Sequence, residues 1–502
     1  MLLGIKHLVE YWLLFALAIH CGTLAIIGFT SILFYTEKTL LSYLAGGIMT
    51  QVNGSGKDGD NSSSGEDVDQ GMSGAVGSGH ETIDLNKRKS LSLLAGAGMG
   101  AVVTAKAPYV FAKNKTTLKV LGTHVTLQEE LRQRAMADLG IELLFEPKGS
   151  AAVLQKASIS PRSFDLYEQW SNSINVLWHS GSIQAIDTKR IKYWDEINNL
   201  TKTGRLTPEA NFGAGDAPYK ILNVQNDDEL GTDFTGRVSF LPYVHNVDSF
   251  GYNTNVIPEG VPYETESWGW LLDEKYSGKV GIVNAPTIGL FDLALAAQAR
   301  GMMRFNDIGS ITKAELDQLF DIVIGMKKKG HFSGFWTSVP ESVDFMADGR
   351  VDIESMFSPG VSALNGKGIP VTYAAPKEGY RGWHGVMCLS SATVGRQRDV
   401  AYEYMNWWLS GWAGAFIARQ GYYISNPQRS QSELSQAEWD YWYQGKPASG
   451  EFKGTDGKVS VRKGDVRRGG SYEKRLSNVA VWNTVMPTYE YSLQKWYEFI
   501  SA

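Results

Sequence analysis

Cysteine is almost missing from this chain of 502 residues: Cys21 and Cys388 are the only two, and they stand far apart in the sequence. A disulfide framework is therefore excluded, and the fold must rest on its apolar core. Strong charge of one sign is lacking as well. With 48 Lys and Arg against 53 Asp and Glu, the net charge of -5 gives no basic surface of the kind nucleic acid requires. His179, His245 and His384 are scattered without metal-ligand spacing, so no metal site is expected. "GKGIP" and "GSAAVLQ" lack the Lys-Ser/Thr pair of a phosphate loop, and no cofactor is expected. Nothing beside Cys388 in "HGVMCLSS" would lower its pKa, so it reads as a small buried hydrophobe and not as a nucleophile. Trp407, Trp408 and Trp412 recur at helical spacing and read as core, while "VRKGDVRRGG", 461–470, reads as a solvated loop. There is no internal repeat.

Long apolar runs are confined to the beginning. From Tyr11 to Tyr35 there is no Asp, Glu, Lys or Arg, and at 1.5 Å per residue this run can cross a core of ~30 Å. Residues 1–48 are thus a candidate transmembrane segment or an over-extended gene start. Residues 49–85, rich in Gly, Ser and Asp, have little to bury and read as a disordered linker. Residues 86–112 resemble an export signal. Lys87, Arg88 and Lys89 precede a short, Gly-rich apolar stretch, and Ala105-Lys106-Ala107 and Val110-Phe111-Ala112 offer small-x-small cleavage sites. The basic cluster is similar to a twin-arginine signal, with one Arg where that motif has two. Two readings stay open: a protein tethered to the membrane through residues 11–35, or a natural start farther in, for instance at Met72. The region up to Ala112 is expected to be dispensable for folding.

Beyond Lys113 strands and helices alternate. "TLKVLG" (Thr117 to Gly122), "IELLFEP" (Ile141 to Pro147), "SFDLYEQW" and "KVGIVNAP" read as strands. "TLQEELRQRAMADLG" reads as a helix capped by Thr126 and closed by Gly140, and "FDLALAAQARG" as another helix. The pattern predicts an α/β fold with mainly parallel pairing, whose ligand sits beyond the carboxyl ends of the strands.

The order of segments is then similar to a known family. "SFLPYVHNVDSFGYNTNVIPEGVPYETESWGWLLDEKYSGKVGIV" resembles the hinge-crossing region of periplasmic solute-binding proteins, with its "PY" strand, "GYN" and "SW..L....Y.GKV" block. "VDFMADGRVDIESMFSPGVSAL", "YAAPKEGYRGWHGVMCL" and "ARQGYYISNP" resemble the family's later turn, returning strand and "GY..PN" loop. The spermidine/putrescine-binding group of ABC importers is the most similar. The resemblance implies a two-lobed type II periplasmic binding-protein fold. One lobe would comprise 113–248 and 385–472, the other 249–384 and 473–502, with hinge crossovers near His245 to Tyr252, near Trp383 and before the last helix. It implies a non-enzymatic receptor, exported to the periplasm, that closes on a small polar organic solute. Its partners would be an inner-membrane ABC permease and the permease's ATPase.

Carried over position by position, the family's ligand contacts fall on Trp170, Asn172, Trp383, Tyr422 and Asn483. His124, Ser171, His245, Asp248, Thr287, Phe357 and His384 complete the expected binding set. The family's acids are missing: the pair after the mid-chain strand falls on or near Pro286 to Gly289, and the acid after the Trp becomes Gly385. Asp248 is then the only carboxylate placed near the crossover. One carboxylate with aromatic walls can hold one cation but not the several ammonium groups of a polyamine. The expected ligand is amine-containing with at most one strong positive charge. A membrane-tethered sensor and an enzyme on the same fold are the alternatives.

Overall fold

A sheet of 12 strands and two smaller ones, of two and four strands, lie within residues 115–502, the part of the chain that the computed structural model describes. The segments read as membrane span, linker and export signal lie outside these residues. Among the described residues no helix is long and apolar enough to cross a membrane.

Two long strands, Leu241–Asn253 and Tyr380–Ser390, form the spine of the sheet and pair antiparallel with Arg381 opposite Asp248, Trp383 opposite Asn246 and His384 opposite His245. Nearly every residue in both is buried. Such continuous burial on two faces needs cover from both sides, and it explains why neither strand shows the alternation of a half-exposed strand. On one side of the spine lie Leu166–Trp170, Thr117–Gly122 and Glu142–Pro147. On the other lie Ile353–Met356, Val280–Val283 and Phe332–Trp336. These outer strands pair in parallel, as the alternating pattern predicts. The spine strands differ from that expectation: they pair antiparallel with each other, Tyr380–Ser390 also with Leu166–Trp170 and Leu241–Asn253 also with Ile353–Met356.

Each end of the sheet has its own apolar cluster. One joins Leu118, Leu131, Leu166, Tyr243, Trp383 and Trp408, the other Phe250, Trp268, Leu293, Ile353 and Trp496. A third joins Leu434, Trp442 and Leu476 to Val247, Tyr380 and Tyr423 on and beside the spine. Complete burial of each large apolar side chain contributes about 1.5–3 kcal/mol, so these clusters hold the sheet without a disulfide. Cys388 is indeed a buried core residue, and Trp407 and Trp408 are buried as expected.

Among the described residues the first helix is Glu129–Leu139, which buries Leu131 and Ala135 and ends on Gly140 in the left-handed region (φ 64°). Its start differs from the expectation. Gln128 is the capping residue, and the hydroxyl of the buried Thr126 instead accepts a hydrogen bond from Tyr243 at 3.1 Å. Tertiary burial overrides the local capping signal here.

Candidate functional site

Where the spine meets the end of Leu166–Trp170, three aromatic side chains converge. The rings of Trp170 and Trp383 stand edge to face with centroids 4.7 Å apart, and Tyr422 meets Trp383 in the same manner at 5.6 Å. Trp170 is the last residue of its strand and Trp383 lies mid-spine, while Tyr422 precedes the short strand Tyr423–Ile424 that pairs with the spine. Trp170 and Tyr422 remain partly exposed. Beside them Ser171 and Asn172 are buried in a short turn, and the side-chain oxygen of Asn172 has no hydrogen-bond partner among the described residues.

Below this cluster lies a charged network that sequence reasoning saw only in part. Arg381 Nε donates to Asp292 at 2.7 Å, while its Nη1 donates to Asp248 at 3.3 Å and to Asn483 at 3.1 Å. Tyr373 donates to Asp248 at 3.3 Å. Arg381 and Asp292 are fully buried and Asp248 nearly so. Burial outweighs the attraction of Arg381 for both acids, pushing Asp248 up to about 6 and Asp292 above its ordinary range. Burial works against the charge of Arg381 too, yet Asp292 and Asp248 hold it above its ordinary range. Burial, together with Asp248, likewise raises the phenol of Tyr422.

The expectation that Asp248 stands alone near the crossover is therefore corrected. Asp292 lies behind it on the helix Pro286–Ala299, a little beyond the Pro286 to Gly289 stretch onto which the family's acid pair falls. The available signals were single charges in apolar surroundings: the one acid in "LFDLALAAQA" and the one Arg in "YRGWHGVMCL". The absence of an acid after Trp383 has a steric cause. A Cβ on Gly385 would lie 2.7 Å from the carbonyl oxygen of Val244, at an irregularity in the spine pairing. Gly385→Asp is accordingly expected to destabilise the protein by about 1–3 kcal/mol through overpacking, read as a lower urea midpoint.

The other residues of the expected set do not join this group. His245 and His384 are fully buried, stack on each other at 5.0 Å, and bond instead to Tyr472 (2.9 Å) and Thr201 (3.0 Å). Burial holds His384 down at about 4, and burial and His384 hold His245 well below its usual range. They are neutral core groups, not polar tips of a pocket. His124 is exposed in the turn after Thr117–Gly122, and Thr287 is half-buried in the first turn of Pro286–Ala299. Phe357 packs edge-on against Trp336 at 5.1 Å. Among the described residues no cluster of His, Cys, Asp and Glu could hold a metal ion.

A separate cavity is not lined by the aromatic trio. It is a space of about 540 Å³ between the helix Ser358–Gly366, the strand Val371–Tyr373 and residues 441–475, and it touches the charged network only at Tyr373. The aromatic group is the site to which the sequence motifs point; the cavity, lined by Arg462, Arg467, Arg468 and Arg475, has a different chemistry.

A family model of bacterial extracellular solute-binding proteins matches residues 195–441, a range that includes both spine strands. No curated protein matches the chain. Among solved structures, one described as a spermidine/putrescine ABC transporter from Listeria monocytogenes is similar, with 16% identity and a TM-score of 0.53 over 77% of this chain and 99% of that one. The TpPotD lipoprotein of Treponema pallidum is similar over 76% of this chain and 99% of its own, with 13% identity and a TM-score of 0.52. The spermidine/putrescine ABC transporter substrate-binding protein of Streptococcus pneumoniae matches over 77% and 99%, with 15% identity and a TM-score of 0.51. The resemblance to solute-binding proteins read from the sequence is borne out, and the matched family consists of binding proteins, not enzymes.

Proposed function

We propose that this chain is an extracytoplasmic solute receptor. Its two lobes, joined through the spine strands, close on a small amine-containing solute with at most one strong positive charge and present it to an ABC permease and its ATPase. The observation that carries this reading is the convergence of Trp170, Trp383 and Tyr422 on the spine, directly above the Asp248–Arg381–Asp292 network. The long strand Leu241–Asn253 runs from one apolar cluster into the other, which makes a hinge of few residues, the means by which such receptors close.

The charge balance supports a single cation. Two carboxylates share one guanidinium, so the network carries one negative charge when both acids are ionised. Aromatic faces add about 0.5–2 kcal/mol for each cation they contact. A second or third ammonium group would have no counter-charge here, and burying it would cost several kcal/mol. The free oxygen of Asn172 supports an N–H donor on the ligand.

A thermal-shift screen of the full chain tests the proposal. Zwitterionic amino acids, quaternary amines, monoamines, putrescine and spermidine would each be added in excess. A ligand present at 100 times its Kd stabilises by about 2.7 kcal/mol, a readily visible rise in melting temperature. A rise with one single-cation class, lost in Trp383→Ala, is expected. No rise with any amine would overturn the amine reading.

A further inference from the structure

We propose that the cavity walled by the helix Ser358–Gly366 and the loop 461–470 is a second binding site, separate from the aromatic group, and that it takes a small organic oxyanion, a carboxylate or a phosphate ester. The loop reads from sequence as solvated, but the structure buries Arg467 within it and places Arg475 just beyond. Both arginines line the cavity, as do Arg462 and Arg468.

Only Arg468 is neutralised, by Glu266 at 2.7 Å and Glu259 at 2.8 Å. Arg467 Nη2 donates to the carbonyl of Gly421 at 2.6 Å, and its Nη1 has no partner among the described residues. Arg475 Nη1 donates to the carbonyl of Arg468 at 2.6 Å, and its Nε has none. Arg462 reaches only the carbonyl of Asn365, at 3.4 Å. Asp465 is the remaining acid on the wall, and it is exposed and turned to the backbone N–H of Arg462 at 2.7 Å.

Two buried guanidinium groups thus face one space, and neither is paired with a carboxylate among the described residues. Arg467 rests on the rings of Tyr423 (4.7 Å) and Trp442 (4.9 Å), and Arg475 on Tyr380 (5.2 Å). Those contacts are weaker than the cost of burying an unpaired ion. Burial, opposed by Tyr423 and aided by Arg475, holds Arg467 below its ordinary range, while against burial the neighbouring tyrosines hold Arg475 above its own. An oxyanion in the cavity offsets the cost of burial, since guanidinium N–H groups match carboxylate and phosphate oxygens. The unpartnered hydroxyl of Ser358 on the opposite wall adds a donor. The volume suits a small di- or tricarboxylate or a phosphorylated metabolite.

The test is calorimetric titration of the full chain with citrate and with inorganic phosphate, at low ionic strength, against chloride of matched ionic strength. Saturable binding of either anion is expected; citrate alone identifies a carboxylate site and phosphate alone a phosphate site. Arg467→Gln should weaken it by about tenfold or more, as for any lost charge-assisted contact. Because Arg467 is buried, Ser362→Asp supplies a second variant: Ser362 is an exposed residue on the cavity wall, and a carboxylate there should repel the anion without disturbing the core. Trp383→Ala should leave anion binding unchanged, which keeps this result independent of the amine site. Binding of neither anion beyond chloride, or binding unaltered in Ser362→Asp and Arg462→Ala, would overturn the proposal.

Discussion

Arg381→Met is expected to lower the folding free energy by about 3–5 kcal/mol at pH 7, the largest effect of any single change considered for this protein. The side chain is fully buried in the spine, directly opposite Asp248. Removing it leaves Asp248 and Asp292 buried with no cation, and both already sit above the ordinary carboxylate range with Arg381 in place. The stability lost should therefore return in large part when the acids are neutralised as well, in the triple variant with Asp248→Asn and Asp292→Asn. Urea unfolding followed by tryptophan fluorescence reads both effects. If Arg381→Met lies within about 1 kcal/mol of the parent, the triad is no more than a surface-grade contact and does not organise the spine.

A second large effect concerns Glu168, two residues before Trp170 and fully buried beneath it in the same strand. Burial pushes its carboxyl up to about 7, although Tyr243 donates to it at 3.1 Å. The folded protein thus keeps a proton that the unfolded chain has released. Below the ordinary value of 4.5 both states hold the proton and nothing is lost. As pH rises from there toward 7 this group costs stability progressively, and above 7 the cost levels off. Glu168→Gln mimics the protonated side chain and can still accept from Tyr243. Its stability relative to the parent should be near zero at pH 4 and should grow to about 3 kcal/mol at pH 8. A difference independent of pH would show that Glu168 is ionised in the fold.

The parts of the site that were legible in the sequence were those tied to strand ends and motifs. Trp170, Trp383 and Tyr422 each fall at a definite point of a recognisable segment, and they meet as a group. Polar residues inside continuous apolar strands were harder to assign. His384 adjoins Trp383 in sequence, yet neighbouring side chains in a strand point to opposite faces, and one step along the chain turns it from the aromatic group to His245 and Thr201 across the core. Arg381 and Asp292 lie 89 residues apart, and only the folded sheet makes them partners. Loop 461–470 is exposed over 462–466, as a run of charge suggests, and the burial of Arg467 within it depends on aromatic rings contributed by Tyr423 and Trp442.

Calorimetric titration of the full chain with spermidine and with a single-cation amine measures how many ammonium groups the aromatic site can neutralise. The account predicts saturable binding of a zwitterion, monoamine or quaternary ammonium, abolished in Trp383→Ala, and only weak binding of spermidine. Sub-micromolar spermidine binding, abolished in Asp248→Asn, would contradict it, because the site would then neutralise several ammonium groups with carboxylates this account leaves paired to Arg381.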